Sequence, residues 1–269
     1  DFKKAWKYFD GRLGLSDFSS KNASLIYVKN KLFNGSTLDN NAKILVLREQ
    51  GVGDEILYGS MYGDLLEKNQ NITIECDERL LPLFQYSFNQ NHKQKFISLG
   101  NISNHGDKLK NYDFVLYAGS LGKFFRNNIN LFPTTSYLDV EQKFINETKN
   151  KVAKLKNRFN IGISWKSFKN RYAREKSLEL KELINIFKTP NCNFINIQYG
   201  DVNEEINNFI SKYKIEITTI KNLDLYKNLL GVASLLKNLD LFISVSNSTA
   251  HLAGALGVKT LLIKPFNHA

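Results

Sequence analysis

Cysteine is nearly missing from these 269 residues: only Cys76 and Cys192 occur, far apart and each inside an apolar run that reads as a strand. A disulfide framework and a cysteine-type zinc site are therefore excluded, and the usage fits a reducing, cytoplasmic compartment. Long hydrophobic runs are missing too. Nothing approaches the roughly 20 apolar residues that cross a bilayer, and the opening Asp1-Phe2-Lys3-Lys4 lacks the apolar core of a signal peptide. No membrane span is expected, which leaves at most peripheral contact with a membrane surface. Methionine occurs once, as Met61, so Asp1 is not expected to be a translational start and the chain is expected to be part of something longer. Arginine is scarce, with 7 against 30 lysines and 32 asparagines. The net charge of +11 is thus carried by lysines spread along the whole chain, a solvated surface rather than a phosphate-reading face, and no nucleic-acid partner is expected. Those lysines still favour anionic small molecules at long range, within a screening length of roughly 8–10 Å.

What is present is ordinary soluble-protein composition, 42% hydrophobic and 23% charged, over a length that holds two domains of roughly 100–150 residues. Phe2, Ala5, Trp6 and Phe9 recur at helical spacing until Asp10-Gly11 stops the pattern, and the polar stretch 13–41 reads as a wrapping segment. From Lys43 apolar runs alternate with helical patterns. Strands are expected at 44–47, 72–76, 95–99 and 113–118, with helices at 54–68 and 78–88. A charged helix over 141–159 follows, and then strands at 161–165, 194–198, 215–217, 239–245 and 260–263 alternate with helices at 178–187, 202–213, 225–236 and 248–256. Parallel strands need crossovers, and helices supply them. The expectation is an α/β protein with two Rossmann-like parallel-sheet domains facing across a cleft. Its segments are 1–41, an N-terminal domain over 42–140, a connector helix over 141–159 and a C-terminal domain over 160–269.

Three stretches carry candidate chemistry. Arg48-Glu49-Gln50-Gly51-Val52-Gly53-Asp54 follows the first strand; its glycines permit positive φ and close backbone approach, and Asp54 falls at the entrance of a helix. Asp54 reads either as a carboxylate at the mouth of the sheet or as a helix cap. The third glycine of a dinucleotide fingerprint is missing, so a nicotinamide cofactor is not expected. Ser246-Asn247-Ser248-Thr249-Ala250-His251 ends a strand and opens a helix of small residues, where unpaired amides and a partial positive charge suit a phosphate. The plain alternative is an ordinary cap on a closely packed helix. Trp165-Lys166 with Arg171, Arg174 and Lys176 forms a basic loop after a strand, either a diphosphate clamp or a solvated charge run.

Together and in this order these stretches resemble the heptosyltransferase class of glycosyltransferases, family 9, as found fused to tetratricopeptide repeats. The matching text is E-Q-G-V-G-D-E-I-L (49–57), I-E-C-D-E-R-L-L-P-L-F (74–84), I-G-I-S-W-K (161–166), I-Q-Y-G-D (197–201) and S-N-S-T-A-H-L-A-G-A-L-G (246–257). The opening F-K-K-A-W-K-Y-F-D-G-R-L is similar to the end of a repeat array. The resemblance implies a GT-B-like fold with the acceptor on the first domain and a nucleotide sugar on the second. It makes Asp54 the general base of an inverting transfer, with Gln50, Gly51, Gly53 and Arg174 on the acceptor or cleft loop. It assigns donor binding to Lys166, Gln198, Ser246, Asn247, Ser248, Thr249 and His251. Asp-x-Asp pairs do not occur, so neither a metal nor another cofactor is expected beside the nucleotide-sugar co-substrate. Two departures stand out: Ser246 replaces an aspartate usual in the family, and the last expected strand lies close to Ala269, so the second half of the fold is expected to be short of the family's pattern. The implied activity is metal-independent transfer of a sugar to a glycan, a lipid-linked acceptor or a protein. The alternative is a non-catalytic module that binds a nucleotide sugar or a protein.

Overall fold

The computed structural model describes residues 1–14, 31–33, 41–68, 71–88, 95–98, 109–152, 158–168, 173 and 175–264. The chain divides into two units, Asp1–Leu138 and Asp139–Ala269.

In the first unit Asp1 caps helix α1 (Phe2–Phe9) by accepting from the Lys4 amide, and a 3-10 turn, Asp10–Gly14, continues it. Four parallel strands follow: β1 (Ile44–Leu47), β2 (Ile72–Glu75), β3 (Phe96–Ile97) and β4 (Phe114–Tyr117), in the order β3-β2-β1-β4. Ile44 pairs with Ile72 on one side and Phe114 on the other. Every residue of β1 is buried, which is why this strand reads as an unbroken apolar run rather than an alternating one. The helix expected over 54–68 is two helices, α2 (Val52–Gly59) and α3 (Tyr62–Lys68). They part at Ser60, whose hydroxyl (2.8 Å) and amide (3.3 Å) both turn back onto the Leu57 carbonyl and tighten the chain out of α geometry. Helix α4 (Leu81–Ser87) starts later than the periodicity suggests, because residues 78–80 turn around Asp77 before Pro82 takes its place in the first helical turn. The short α5 (Gly122–Phe125) follows β4.

The N-terminal segment is fastened to this sheet. Trp6 donates its indole N–H to the Arg126 carbonyl at 2.7 Å, and its ring fills the space over Gly122 where any side chain would collide. Arg12 grips Glu49 with two bonds, Nε to Oε2 at 2.8 Å and a terminal nitrogen to Oε1 at 2.7 Å. Glu49 is buried just past the end of β1 and also accepts the Gly119 amide at 2.6 Å.

The second unit opens with α6 (Gln142–Val152) and β5 (Phe159–Ser164). The expected helix 141–159 therefore ends early. Phe159 already belongs to the sheet, its amide bonded to the Asn191 carbonyl at 3.1 Å, and the Asn160 amide is held by Asp240 at 2.7 Å. A 3-10 turn, Leu180–Leu183, leads into α7 (Ile184–Phe187), followed by β6 (Cys192–Asn196), α8 (Asn203–Tyr213), α9 (Leu229–Leu236), β7 (Leu241–Val245), α10 (Ser248–Ala255) and β8 (Thr260–Ile263). The strands are parallel in the order β6-β5-β7-β8. The strand expected at 215–217 does not form; the chain touches the sheet there only through a bridge from Thr218 to Ile195. Helix α9 begins at Leu229 rather than 225, because Asp224 draws the Tyr226 and Lys227 amides into a turn and Asn228 caps the Gly231 amide at 2.8 Å. Helix α6 packs on α9 through Thr148, which donates to the Ser234 carbonyl at 3.0 Å. The core gathers Ile163, Trp165, Leu183, Phe187, Phe194 and Phe209. Among the described residues no helix is long and apolar enough to cross a membrane.

Removing Arg12 strands a buried carboxylate, which typically costs about 3–5 kcal/mol. Arg12→Ala is expected to lower unfolding free energy by that order in urea titration, whereas the double substitution Arg12→Met with Glu49→Gln recovers most of the loss. A loss below about 1 kcal/mol in the single variant would show that the pair does not hold the segment.

Candidate functional site

In an open parallel sheet the strand order reverses at a switch point, and ligands bind at the carboxyl ends of the two strands that flank it. Here those pairs are β1 with β4 and β5 with β7. The described residues of the stretches singled out from the sequence lie at these edges.

At the first switch point the chain leaves β1 through Arg48, Glu49 and Gln50. The left-handed residue of this loop is Gln50 (φ 65), not a glycine: Gly51 is extended (φ −131) and caps α2, and Gly53 lies within the first turn of that helix. The expectation that Gly51 and Gly53 supply positive φ is thus corrected, and the strain of order 1–3 kcal/mol that a non-glycine residue carries there falls on an exposed glutamine. Asp54 is half-buried in the first turn of α2, where its Oδ2 accepts the Gly51 amide at 3.2 Å.

Beneath this loop lies a carboxyl cluster that the sequence reading missed. Arg48 reaches Asp77 (3.0 Å), Glu55 (3.4 Å) and Glu75 (3.6 Å), and Glu55 also accepts the Asp77 amide at 2.8 Å. Burial pushes Glu55 up to about 7 against the opposing pull of the Asp77 amide and Arg48, and burial together with the neighbouring Glu55 does the same for Glu75. Asp77 moves the other way: burial raises it, but the Arg79 hydrogen bonds outweigh that and hold it at about 2. Among the described residues the buried oxygens Glu75 Oε1 and Tyr62 Oη find no hydrogen-bond partner. A glutamate directly beside an aspartate in a helix start gave no signal of burial, since either is ordinary in a first helical turn.

At the second switch point three buried polar side chains tie the loops together. Gln198 Oε1 accepts from the Ser164 hydroxyl (3.0 Å) and from the amides of Trp165 (2.8 Å) and Lys166 (2.7 Å). Asn247 caps α10 by accepting the Ala250 amide at 3.0 Å, while its Nδ2 donates to the Ser164 hydroxyl (2.8 Å) and the Lys166 carbonyl (3.2 Å). Lys166 is thereby set beside the start of α10, where Asn247 takes up the Ala250 amide and the amides of Ser248 and Thr249 open the helix. Its ammonium pairs with Glu205 at 2.7 Å, and the same carboxylate oxygen receives the Trp165 indole at 3.2 Å. Ser246 and Ser248 are half-buried, Thr249 is buried and His251 is exposed. Arg171 and Arg174 lie outside the described residues. Ser164 and Glu205 were not singled out from the sequence, because a serine ending a strand and a glutamate opening a helix are unremarkable until folded together. Among the described residues no group of three or more histidine, cysteine, aspartate or glutamate side chains is placed to hold a metal ion.

No protein-family model matches the chain. It is 28% identical over 232 residues to Protein FlbA of Caulobacter vibrioides, covering 82% of this chain and 39% of that protein. The chain thus spans about two fifths of the length of this curated relative. Among solved structures it is similar to a glycosyl transferase of family 9 from Veillonella parvula, with a TM-score of 0.61 and 14% identity over 87% of this chain and 84% of that one. It is also similar to the E. coli ADP-heptose LPS heptosyltransferase II, with a TM-score of 0.58 and 14% identity over 82% of this chain and 84% of that one. A third similarity is to E. coli heptosyltransferase WaaC with ADP-2-deoxy-2-fluoro heptose, with a TM-score of 0.50 and 11% identity over 81% of this chain and 87% of that one. At such identities the likeness concerns the fold, which is a GT-B-like pair of parallel-sheet α/β units. Fusion to tetratricopeptide repeats is not among these findings.

Glu55 and Glu75 have folded-state values near 7 against an ordinary 4.5. A carboxyl raised in this way stabilises the fold fully below its unfolded value, and that contribution fades as pH rises through the folded value. Stability measured by denaturant titration is therefore expected to fall between about pH 4.5 and 7, and Glu75→Gln is expected to flatten that fall. An unchanged slope in the variant would remove Glu75 from the cause.

Proposed function

We propose that this chain is the transferase part of a nucleotide-sugar-dependent glycosyltransferase, with the donor on the second unit and the acceptor activated by the first. The observation that carries the reading is the joining of Lys166 to the start of α10 through Ser164, Gln198 and Asn247 at a sheet switch point. A leaving diphosphate at that edge would meet first-turn amides, the Ser248 and Thr249 hydroxyls and an ammonium, all suited to charge that grows as the sugar departs. Buried Gln198 and Asn247 position these groups rather than touch the donor. Ser246 and His251 are proposed at the rim of the same edge.

Asp54 is the proposed general base. It takes the proton of an acceptor hydroxyl as that oxygen bonds to the anomeric carbon and the carbon–oxygen bond to the diphosphate breaks on the opposite face. The configuration inverts. Gln50, Gly51 and Gly53 are proposed to shape the acceptor side of that loop, and Arg174, which lies outside the described residues, is proposed as an acceptor or cleft residue. The transfer is proposed to be metal-independent, because the sequence has no Asp-x-Asp pair. The family 9 fold likeness supports this reading, and the acceptor is proposed to be a glycan, a lipid-linked glycan or a protein in the cytoplasm.

A second reading is favoured by one contact: the Asp54 carboxylate already serves α2 by accepting the Gly51 amide. If capping is its whole task, the domain binds a nucleotide sugar without turning it over. Both readings are tested in the full-length protein by a thermal-shift screen of ADP-, UDP-, GDP- and CMP-linked sugars, followed by transfer or hydrolysis assays with and without chelator. Asp54→Asn is expected to lower turnover by about 10²-fold or more while donor affinity changes less than about twofold. Donor binding without turnover in the wild type would select the binding module, and no binding of any sugar nucleotide would end both.

A further inference from the structure

Three aromatic rings gather at the second switch-point edge although they come from separate segments. Phe168 follows Lys166 by two residues, Tyr199 follows Gln198, and Tyr226 lies in the turn before α9. The centroids of Phe168 and Tyr199 are 5.4 Å apart, and those of Tyr199 and Tyr226 are 6.2 Å apart. Phe168 is 46% exposed and Tyr226 is 55% exposed, so the outer two rings keep broad faces in water.

The cluster is built rather than incidental. Gly200 adopts φ +92, and a Cβ there would stand 2.5 Å from Phe168 Cζ, so the ring can lie where it does only over a glycine. Burial pushes the Tyr199 hydroxyl up while Ser248, in the first turn of α10, and the Phe168 backbone oppose that rise, which puts both of them next to this hydroxyl. One middle ring therefore connects the exposed aromatic faces to the helix start and to the loop that bears Lys166. Neighbouring rings are tilted by 49° and 42°, so a flat π-system can stack on one water-exposed face while the next ring meets its edge, irrespective of its hydrogen-bonding groups. A lipid tail would not need the polar groups next to it, whereas a nucleotide has a flat base on one side of its phosphates.

We propose that Phe168, Tyr199 and Tyr226 form the platform on which the base of a nucleoside diphosphate stacks, an assignment that rests on the donor reading above. It adds three residues to the donor site, of which only Tyr199 falls within a motif quoted from the sequence, I-Q-Y-G-D. Base selection then depends on stacking area more than on edge recognition, so several nucleotides are expected to bind with similar strength.

The test is calorimetric titration of ADP, UDP and GDP into the full-length protein and its variants, with melting temperature as the check on folding. Tyr226→Ala and Phe168→Ala, both at exposed positions, are each expected to weaken binding about tenfold without moving the melting temperature. Tyr226→Phe, which keeps the ring and loses the hydroxyl, is expected to bind within about twofold of wild type. Nucleotide binding unchanged in the two alanine variants would overturn the platform and leave the donor reading standing. An equal loss in Tyr226→Phe would also overturn it, since the hydroxyl and not the ring would then be responsible. Failure of the wild type to bind any of the three nucleotides would overturn the donor reading and the platform with it.

Discussion

Parallel strands that stop along one edge leave backbone groups of the following loops to be paired by something other than the sheet, and both units meet this constraint in the same way. Each sends one buried polar side chain across its switch point. Glu49 passes from the end of β1 to the amide of Gly119 beyond β4, and Asn247 passes from the end of β7 to Ser164 and the Lys166 carbonyl beyond β5. The candidate chemistry rides on the loops that these two side chains hold. Asp54 lies five residues beyond Glu49, and Lys166 and the first turn of α10 are joined directly by Asn247.

The two bridges differ in what they need. An amide carries its own donors and acceptors, so Asn247 is satisfied by neutral partners within the sheet edge. A carboxylate in the same situation needs a cation, and Arg12 supplies it from upstream of the sheet. All five N–H donors of a guanidinium have uses here: two bonds to Glu49, and one each to the Phe9 carbonyl, Asp10 and the Ser120 hydroxyl. Lysine has neither the number nor the fork geometry to replace it. Asp10 in turn receives Ser120 (2.6 Å) and Lys123 (3.1 Å), which spreads the attachment over the segment that follows β4. The α1 segment, whose sequence is similar to the end of a repeat array, is thereby tied to the first edge.

The α/β alternation was legible because fully buried parallel strands such as Ile44–Leu47 are continuous apolar runs and their crossover helices carry amphipathic spacing. The helix start at Asn247 was legible for a local reason, since a capping asparagine between a strand and a run of small residues needs no distant partner to be recognised. What could not be read depends on distant residues. Gln198 was expected at the donor site, and its side-chain oxygen accepts from the Ser164 hydroxyl and the Trp165 and Lys166 amides, contacts set by strand order and not by the text around it. Arg12 and Glu49 are 37 positions apart, and nothing near either one signals the pair. The loop glycines misled in the opposite direction, because a G-x-G pattern suggests positive φ while the chain placed that conformation one residue earlier, at Gln50.

The proposed donor site also needs a cation that is present but not committed, and the Lys166 pairing meets that requirement. Its partner Glu205 is reached at 2.7 Å, yet both side chains keep about a third of their surface in solvent, at 33% and 27%. Ion pairs so exposed are typically worth no more than about 1 kcal/mol, whereas hydrogen bonds from an ammonium to a phosphate are charge-assisted and stronger. A diphosphate can therefore draw Lys166 away at small cost, and Glu205 retains the Trp165 indole as a partner when it does. Arg12 shows the contrast: its carboxylate partner is wholly buried, its donors are all engaged, and nothing in its surroundings would repay breaking that pair. One cation is thus spent on structure and the other is held ready for a ligand, and the difference lies in burial rather than in distance.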